Sequence, residues 1–142
     1  MATTVAVAGC QEDDRGLGAT QRRVGFEITL PCWVPEGVRR VPRVGIASGD
    51  NPGGVLIDYS APGTVAALSI EEDAVTSRTP VVTGPTHRIA DTDVVIQELP
   101  GGGTTLDWRR SGVRFLVASS FGASETLEVA EALIVGCAQG SG

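Results

Sequence analysis

Apolar and polar residues alternate with period two along much of the chain, and a helical period replaces this only near the C-terminal end. Val24, Phe26, Ile28 and Leu30 occupy every second position, which predicts a half-buried strand over residues 24–30. Pro31 and Pro35 bar its continuation as a central strand, because proline cannot donate to a ladder, and Pro35-Glu36-Gly37 reads as a turn. A weaker strand is expected over 41–47, a turn over 49–54, a strand over 55–60, a turn at Ala61-Pro62-Gly63 and a strand over 64–71. Residues 76–85 are irregular, with room for a short edge strand. Residues 88–89 and 94–99 extend the sheet, and Pro100-Gly101-Gly102-Gly103 turns the chain again. Segments this short cannot hide crossover helices, so the pairing is expected to be antiparallel.

Residues 106–110 and 113–119 flank Ser111-Gly112, a two-residue hairpin loop. The loop dictates the register. Trp108 falls opposite Phe115 and Leu106 opposite Val117 on one side, while Arg109 meets Arg114 on the other, beside the Asp107–Leu116 pair. Directly opposed arginines repel unless solvated. The Trp108 side is therefore assigned to the core and the Arg109 side largely to water.

A helix is expected over 124–135, where Leu127, Ala130 and Ile134 recur at helical spacing and Val129 and Leu133 widen the stripe. Ser124 is the expected N-cap, Glu125 and Glu128 lie where the helix dipole favours acids, and Gly136 is placed to end the helix. Nothing else in the chain is expected to cover the sheet. The fold class is α+β: a curved, mainly antiparallel sheet of about six to seven strands packed by one C-terminal helix.

A chain of 142 residues with 42% hydrophobic content fits one domain with a core of its own. No apolar run approaches the roughly 20 residues needed to cross a bilayer. The net charge is −6, which makes nucleic acid an unfavourable partner. Every basic residue is Arg, a mark of genome composition rather than of chemistry. Arg39, Arg40 and Arg43 form the basic cluster. It reads as an edge strand guarded by charge, with contact to anionic lipid head groups as the functional alternative.

Val7-Ala8-Gly9-Cys10, followed by Gln11-Glu12-Asp13-Asp14, resembles the lipobox of bacterial lipoproteins. The resemblance implies cleavage before Cys10, a lipid on its thiol, and an extracytoplasmic domain anchored to the membrane of the cell envelope. An ordinary N-terminal strand or disordered leader that contains a cysteine is the alternative and would leave the chain cytoplasmic. The expected organisation is a signal remnant over 1–10, a flexible tether over 11–23, one α+β domain over 24–137 and a disordered tail over 138–142. A coiled tether of that length spans about 20 Å root-mean-square.

With Cys10 lipidated, Cys32 and Cys137 remain as an even pair in an oxidising compartment, a candidate disulfide. Sequence does not bring their Cα atoms within bridging range, and two buried free thiols are the plainer reading.

Chemistry-bearing motifs are sparse. His87 is the sole histidine, at a loop-to-strand junction with no signalled partner, and reads as a surface residue. Asp91-Thr92-Asp93 offers carboxylates but lacks the further ligands of a calcium loop, and reads as a solvated turn. Gly16-Leu17-Gly18 is half a dinucleotide fingerprint without a strand before it or a helix after it. No metal, cofactor or catalytic residue is assigned. Trp33, between Pro31 and Pro35, reads as a plug for the end of the core, since aromatics are scarce, with an exposed anchor for a ligand or partner as the alternative.

Several pieces taken in order carry a wider resemblance: Leu30-Pro31, then Trp33-Val34-Pro35-Glu36-Gly37; Leu56-Ile57-Asp58-Tyr59; Leu106 with Trp108; Gly112 with Phe115 and Val117; and Leu127 with Ala130, Glu131 and Leu133. This order resembles an uncharacterised extracytoplasmic domain found at the C-terminal end of anti-sigma factors and in sporulation-associated envelope lipoproteins. That group is in turn similar to the half-barrel of periplasmic lipoprotein carriers and RseB-type sensors. The resemblance implies sensing or binding at the envelope and supplies no catalytic residues.

Three functions follow as expectations. The first is a membrane-tethered, non-catalytic binding or sensory domain that receives a protein, peptide or lipid in a groove lined by Trp33, Trp108, Phe115 and Leu127. The second is a carrier that encloses an acyl chain between sheet and helix; a cavity at Trp108, Phe115 and Leu127 would favour it, and a filled core would favour the binding module. The third is a hydrolase, which would need His87, Asp91 and Asp93 in one concave cluster.

Overall fold

A computed structural model describes residues 24–46, 54–61 and 67–137. The expected lipobox at Cys10, the tether over 11–23, the turns near residues 49–53 and 62–63, the start of the strand expected over 64–71 and the tail over 138–142 lie outside the described residues. The described chain forms strands β1 (Arg39–Ile46), β2 (Val55–Ser60), β3 (Leu68–Ala74), β4 (Thr86–Ile89), β5 (Thr92–Glu98), β6 (Thr104–Arg110) and β7 (Val113–Ser119), then helix α1 (Ala123–Ile134). The strands make one open antiparallel sheet in the order β1-β2-β3-β7-β6-β5-β4. The architecture is the α+β arrangement that the alternation predicts.

The β6–β7 hairpin carries the expected register, with Trp108 opposite Phe115, Leu106 opposite Val117 and Arg109 opposite Arg114. Ser111 and Gly112 both have positive φ, 55° and 78°, the twist that a two-residue loop needs to match its strands. Because β3 pairs with β7, the chain must pass from the middle of the sheet to its far edge before β4 begins. Residues 75–85 make that passage without forming a strand. The remaining connections, β4 through β7, are the meander expected from the short segments.

β3 runs three residues past the expected end at Glu71. An acidic run looks like a strand terminus, but this strand is central. Its last residues pair with β7, Glu72 opposite Phe115 and Asp73 opposite Arg114. β1 is an edge strand whose register shifts between Arg40 and Val44, around Pro42, which has no N–H to give.

Residues 24–30 do not form the expected strand. The alternation is real in its consequence, since Ile28 and Leu30 are buried and Val24 and Phe26 pack against the core. The segment nevertheless joins no ladder: the Thr29 N–H goes to the Glu72 side chain (2.9 Å) instead of to a neighbouring strand. It lies against the core face, and this changes the roof of the sheet. Helix α1 packs mainly on β5, β6 and β7, and the irregular arm from residue 24 to 38 supplies Ile28, Leu30 and Val38 to the same core cluster. The sheet is covered by a helix and an arm, not by the helix alone.

Helix α1 starts one residue before the expected cap. Gly122 is the N-cap with no side-chain bond to the free N–H groups, and Ser124 lies inside the helix, exposed. Thr126, fully buried, donates its hydroxyl to the Gly122 carbonyl at 2.7 Å. The end is as expected: Gly136 has φ +90°, and its N–H and that of Val135 both reach the Glu131 carbonyl.

Candidate functional site

The residues singled out from the sequence fall into two places. Trp108 and Phe115 stack face to face, centroids 5.1 Å apart and planes 8° apart, and both are buried in the core. Leu127, half-buried on α1, packs against the same cluster. Trp33 is elsewhere. It stands 37% exposed on the arm and lines an open groove of about 520 Å³ with residues of the helix end. One groove does not hold all four side chains.

The groove exists because two distant segments are joined. Cys32 and Cys137 form a disulfide with Cα atoms 6.0 Å apart, across a separation of 105 residues. The free-thiol reading is therefore replaced by a bridge, which only the docking of the arm beside the end of α1 makes geometrically available. Trp33 follows Cys32 directly, so the bridge holds its ring beside Ala132, Val135 and Gly136. Val135, 59% exposed, is a second large apolar side chain in the open here. Glu128 and Glu131, on the outer face of the helix, complete the lining. Sequence reasoning read Glu128 only as a dipole complement and did not mark Glu131 or Val135 as site residues; their spacing on the helix was the available signal, but the facing wall was not.

The opposite face of the sheet carries charge. Arg114 donates to Asp107 through Nε and Nη2, at 3.2 and 2.5 Å, and the pair is 13% and 11% exposed. Arg109, exposed, donates to the carbonyl oxygens of Thr79 and Pro80 and so fastens the β3–β4 passage over this face. The expectation that this side is largely in water holds for Arg109 and fails for Arg114 and Asp107. Each opposed arginine has found its own acceptors, so the like-charge pair is tolerated. The hydrogen bond from Arg114 to Asp107 raises the guanidinium pKa further.

Two acids are perturbed strongly. Glu72 is completely buried on the core face, and burial pushes its pKa to about 8 against the opposing pull of the Thr29 N–H. Asp73, on the charged face, is pushed to about 7 by burial and then by its hydrogen bond with, and the charge of, Glu71; Arg114 pulls it down. Neither acid lines a groove described here.

Of the candidate hydrolytic residues, Asp91 and Asp93 line one open groove of about 410 Å³ with Asp107 and Arg109, and His87 is not part of that lining. His87 pairs with Val94 on the core-facing side of the β4–β5 hairpin and Arg88 with Asp93 on the other. Asp93 bonds Arg88 at 2.8 Å, and Asp91 bonds Arg110, whose hydrogen bond and charge hold the Asp91 pKa low. Among the described residues no group of three or more His, Cys, Asp or Glu is placed to hold a metal ion, and no helix is long and apolar enough to cross a membrane. Of the basic cluster, Arg39 is exposed on edge strand β1.

Comparison with protein families, with curated proteins and with solved structures found no match to this chain.

Proposed function

We propose that this chain is a non-catalytic extracytoplasmic binding or sensory domain, tethered to the cell envelope through Cys10, that takes its ligand on the surface beside Trp33 and not inside the fold. The Cys32–Cys137 disulfide carries the proposal. Such bridges persist in oxidising compartments and are rare in the cytosol. A bridged pair accords with a lipobox at Val7-Ala8-Gly9-Cys10 and with the resemblance to envelope sensor domains. It also ties the arm that carries Trp33 to the end of α1 before any ligand arrives, and holding a site in place lowers the ordering cost of binding.

The carrier reading has less support. An acyl chain needs space between sheet and helix. There Trp108 is stacked on Phe115, and Val117, Val129 and Leu133 are buried in the same cluster.

Intact-mass analysis of the full-length gene product, extracted from its own membrane, tests the proposal. The expected mass is that of a chain beginning at lipid-bearing Cys10 with one disulfide. An unmodified chain with free thiols in the soluble fraction would overturn both the location and the role.

A further inference from the structure

The groove beside Trp33 has a charge as well as a shape. Its apolar wall is the Trp33 ring with Ala132, Val135 and the Cys137 half of the disulfide, and Glu128 and Glu131 stand at its rim. These glutamates are three positions apart on α1, so they project from one helix face about 5–6 Å apart at Cβ. Both are exposed, and among the described residues neither forms an ion pair. No basic residue occupies the last turn of the helix. The negative end of the helix dipole therefore adds to the same field. Elsewhere, acids beside arginines are paired: Asp91 with Arg110, Asp93 with Arg88, Asp107 with Arg114.

We propose that this groove docks a short basic segment of a partner protein. One Lys or Arg side chain of the segment lies against the Trp33 ring with its charge between Glu128 and Glu131, and an adjacent apolar side chain covers Val135. Each part answers a feature of the groove. A cation is drawn to an indole face and to carboxylates together, and a guanidinium stacks on the ring while donating to both acids. An apolar neighbour removes the exposed valine from water. The volume, about 520 Å³, is that of a site for several groups and not for a lone ammonium ion. This deepens the binding reading given above and rests on it.

The test is an NMR titration of the full, disulfide-bonded chain with a synthetic hexapeptide of alternating arginine and leucine, against matched peptides carrying glutamine or glutamate in place of arginine. The arginine peptide is expected to shift the resonances of Trp33, Glu128, Glu131 and Val135, and the glutamate peptide none. In the Glu128→Gln/Glu131→Gln variant, which alters exposed side chains only, its Kd is expected to rise about tenfold, with a smaller effect at high salt. If the glutamine peptide binds the groove as well, and the variant loses nothing, the groove is a ligand site but the cationic class is wrong. Shifts mapping to the Arg109 face overturn both this inference and the choice of groove. Absence of shifts, or the same shifts on raising protein concentration without peptide, overturns the basic segment as occupant, the second case in favour of another copy of this chain.

Discussion

The backbone N–H of Thr29 donates to Oε1 of Glu72 at 2.9 Å, linking positions 43 apart in the chain. The contact joins the arm to the centre of the sheet, because Glu72 lies between Val55 on β2 and Phe115 on β7. An acid in that position survives by keeping its proton: burial pushes its pKa to about 8, so at neutral pH it is mostly the uncharged acid. The arm is thus held by a neutral carboxyl at Thr29 and by the disulfide at Cys32.

Stability is accordingly expected to fall as pH rises. In the unfolded chain Glu72 titrates near the ordinary glutamate value of 4.5 and in the folded chain near 8, so between these values the native state holds the extra proton. Each step upward in that window costs stability, by several kcal/mol in all as an order of magnitude, and the loss is complete above the folded pKa. Asp73, raised to about 7, adds in the same direction. Urea denaturation of Glu72→Gln at pH 5 and pH 8 checks this. The amide still accepts from Thr29 and cannot ionise, so the variant should show a shallower pH profile and exceed the parent chain at pH 8. A profile as steep as the parent's would remove Glu72 as the cause.

The opposed arginines give a second prediction. Asp107 separates them electrostatically by binding Arg114. Asp107→Ala should cost about 3 kcal/mol, because it leaves a mostly buried guanidinium unpaired. Arg109→Ala alone should cost less than about 1 kcal/mol, since the side chain is exposed. In the Asp107→Ala background the Arg109 change should turn neutral or favourable, as it relieves the repulsion that Asp107 had masked. A double-mutant cycle by urea denaturation reads the coupling, and strict additivity would show that the two guanidinium groups do not sense each other.

How much of this was legible in the sequence depends on how local each cause is. The β6–β7 register was readable in full, because a two-residue loop with Gly112 leaves one pairing and every side-chain position follows from it. The end of α1 at Gly136 was readable for the same reason. Residues 24–30 were half readable: alternation showed which side chains are buried, but whether an alternating segment joins a ladder depends on a free strand edge, and β3 already has β2 and β7 on either side. The Trp33 groove was not readable beyond Trp33 itself. Its walls come from the arm and the helix end, and the contact that joins them spans 105 residues.

The disulfide should matter to the arm more than to the sheet. Bridging across 105 residues limits the unfolded chain, which amounts to about 4–5 kcal/mol in the chain-entropy account. The Cys32→Ser/Cys137→Ser variant is expected to lose most of that in urea denaturation. It should keep the β6–β7 hairpin, and hydrogen exchange should quicken first at Thr29 and in the last turn of α1. Uniform acceleration across the sheet would mean that the bridge acts on the whole fold and does not specifically pin the Trp33 groove.

The two tryptophans should respond to the same substitution with losses of very different size. Trp108 is 3% exposed and stacked on Phe115, so Trp108→Ala should cost about 3–5 kcal/mol and loosen the core. Trp33→Ala should cost under about 1 kcal/mol, because more than a third of its surface already faces water and its neighbours are held by the disulfide. Acrylamide quenching separates them in folded chains. Emission from Trp33, isolated in a Trp108→Phe variant that remains folded, should quench readily and become protected when the arginine–leucine peptide is added. Emission from Trp108, isolated by Trp33→Phe, should be shielded from the start and indifferent to the peptide. Ready quenching of Trp108 would mean open space between sheet and helix and would favour the carrier over the binding module.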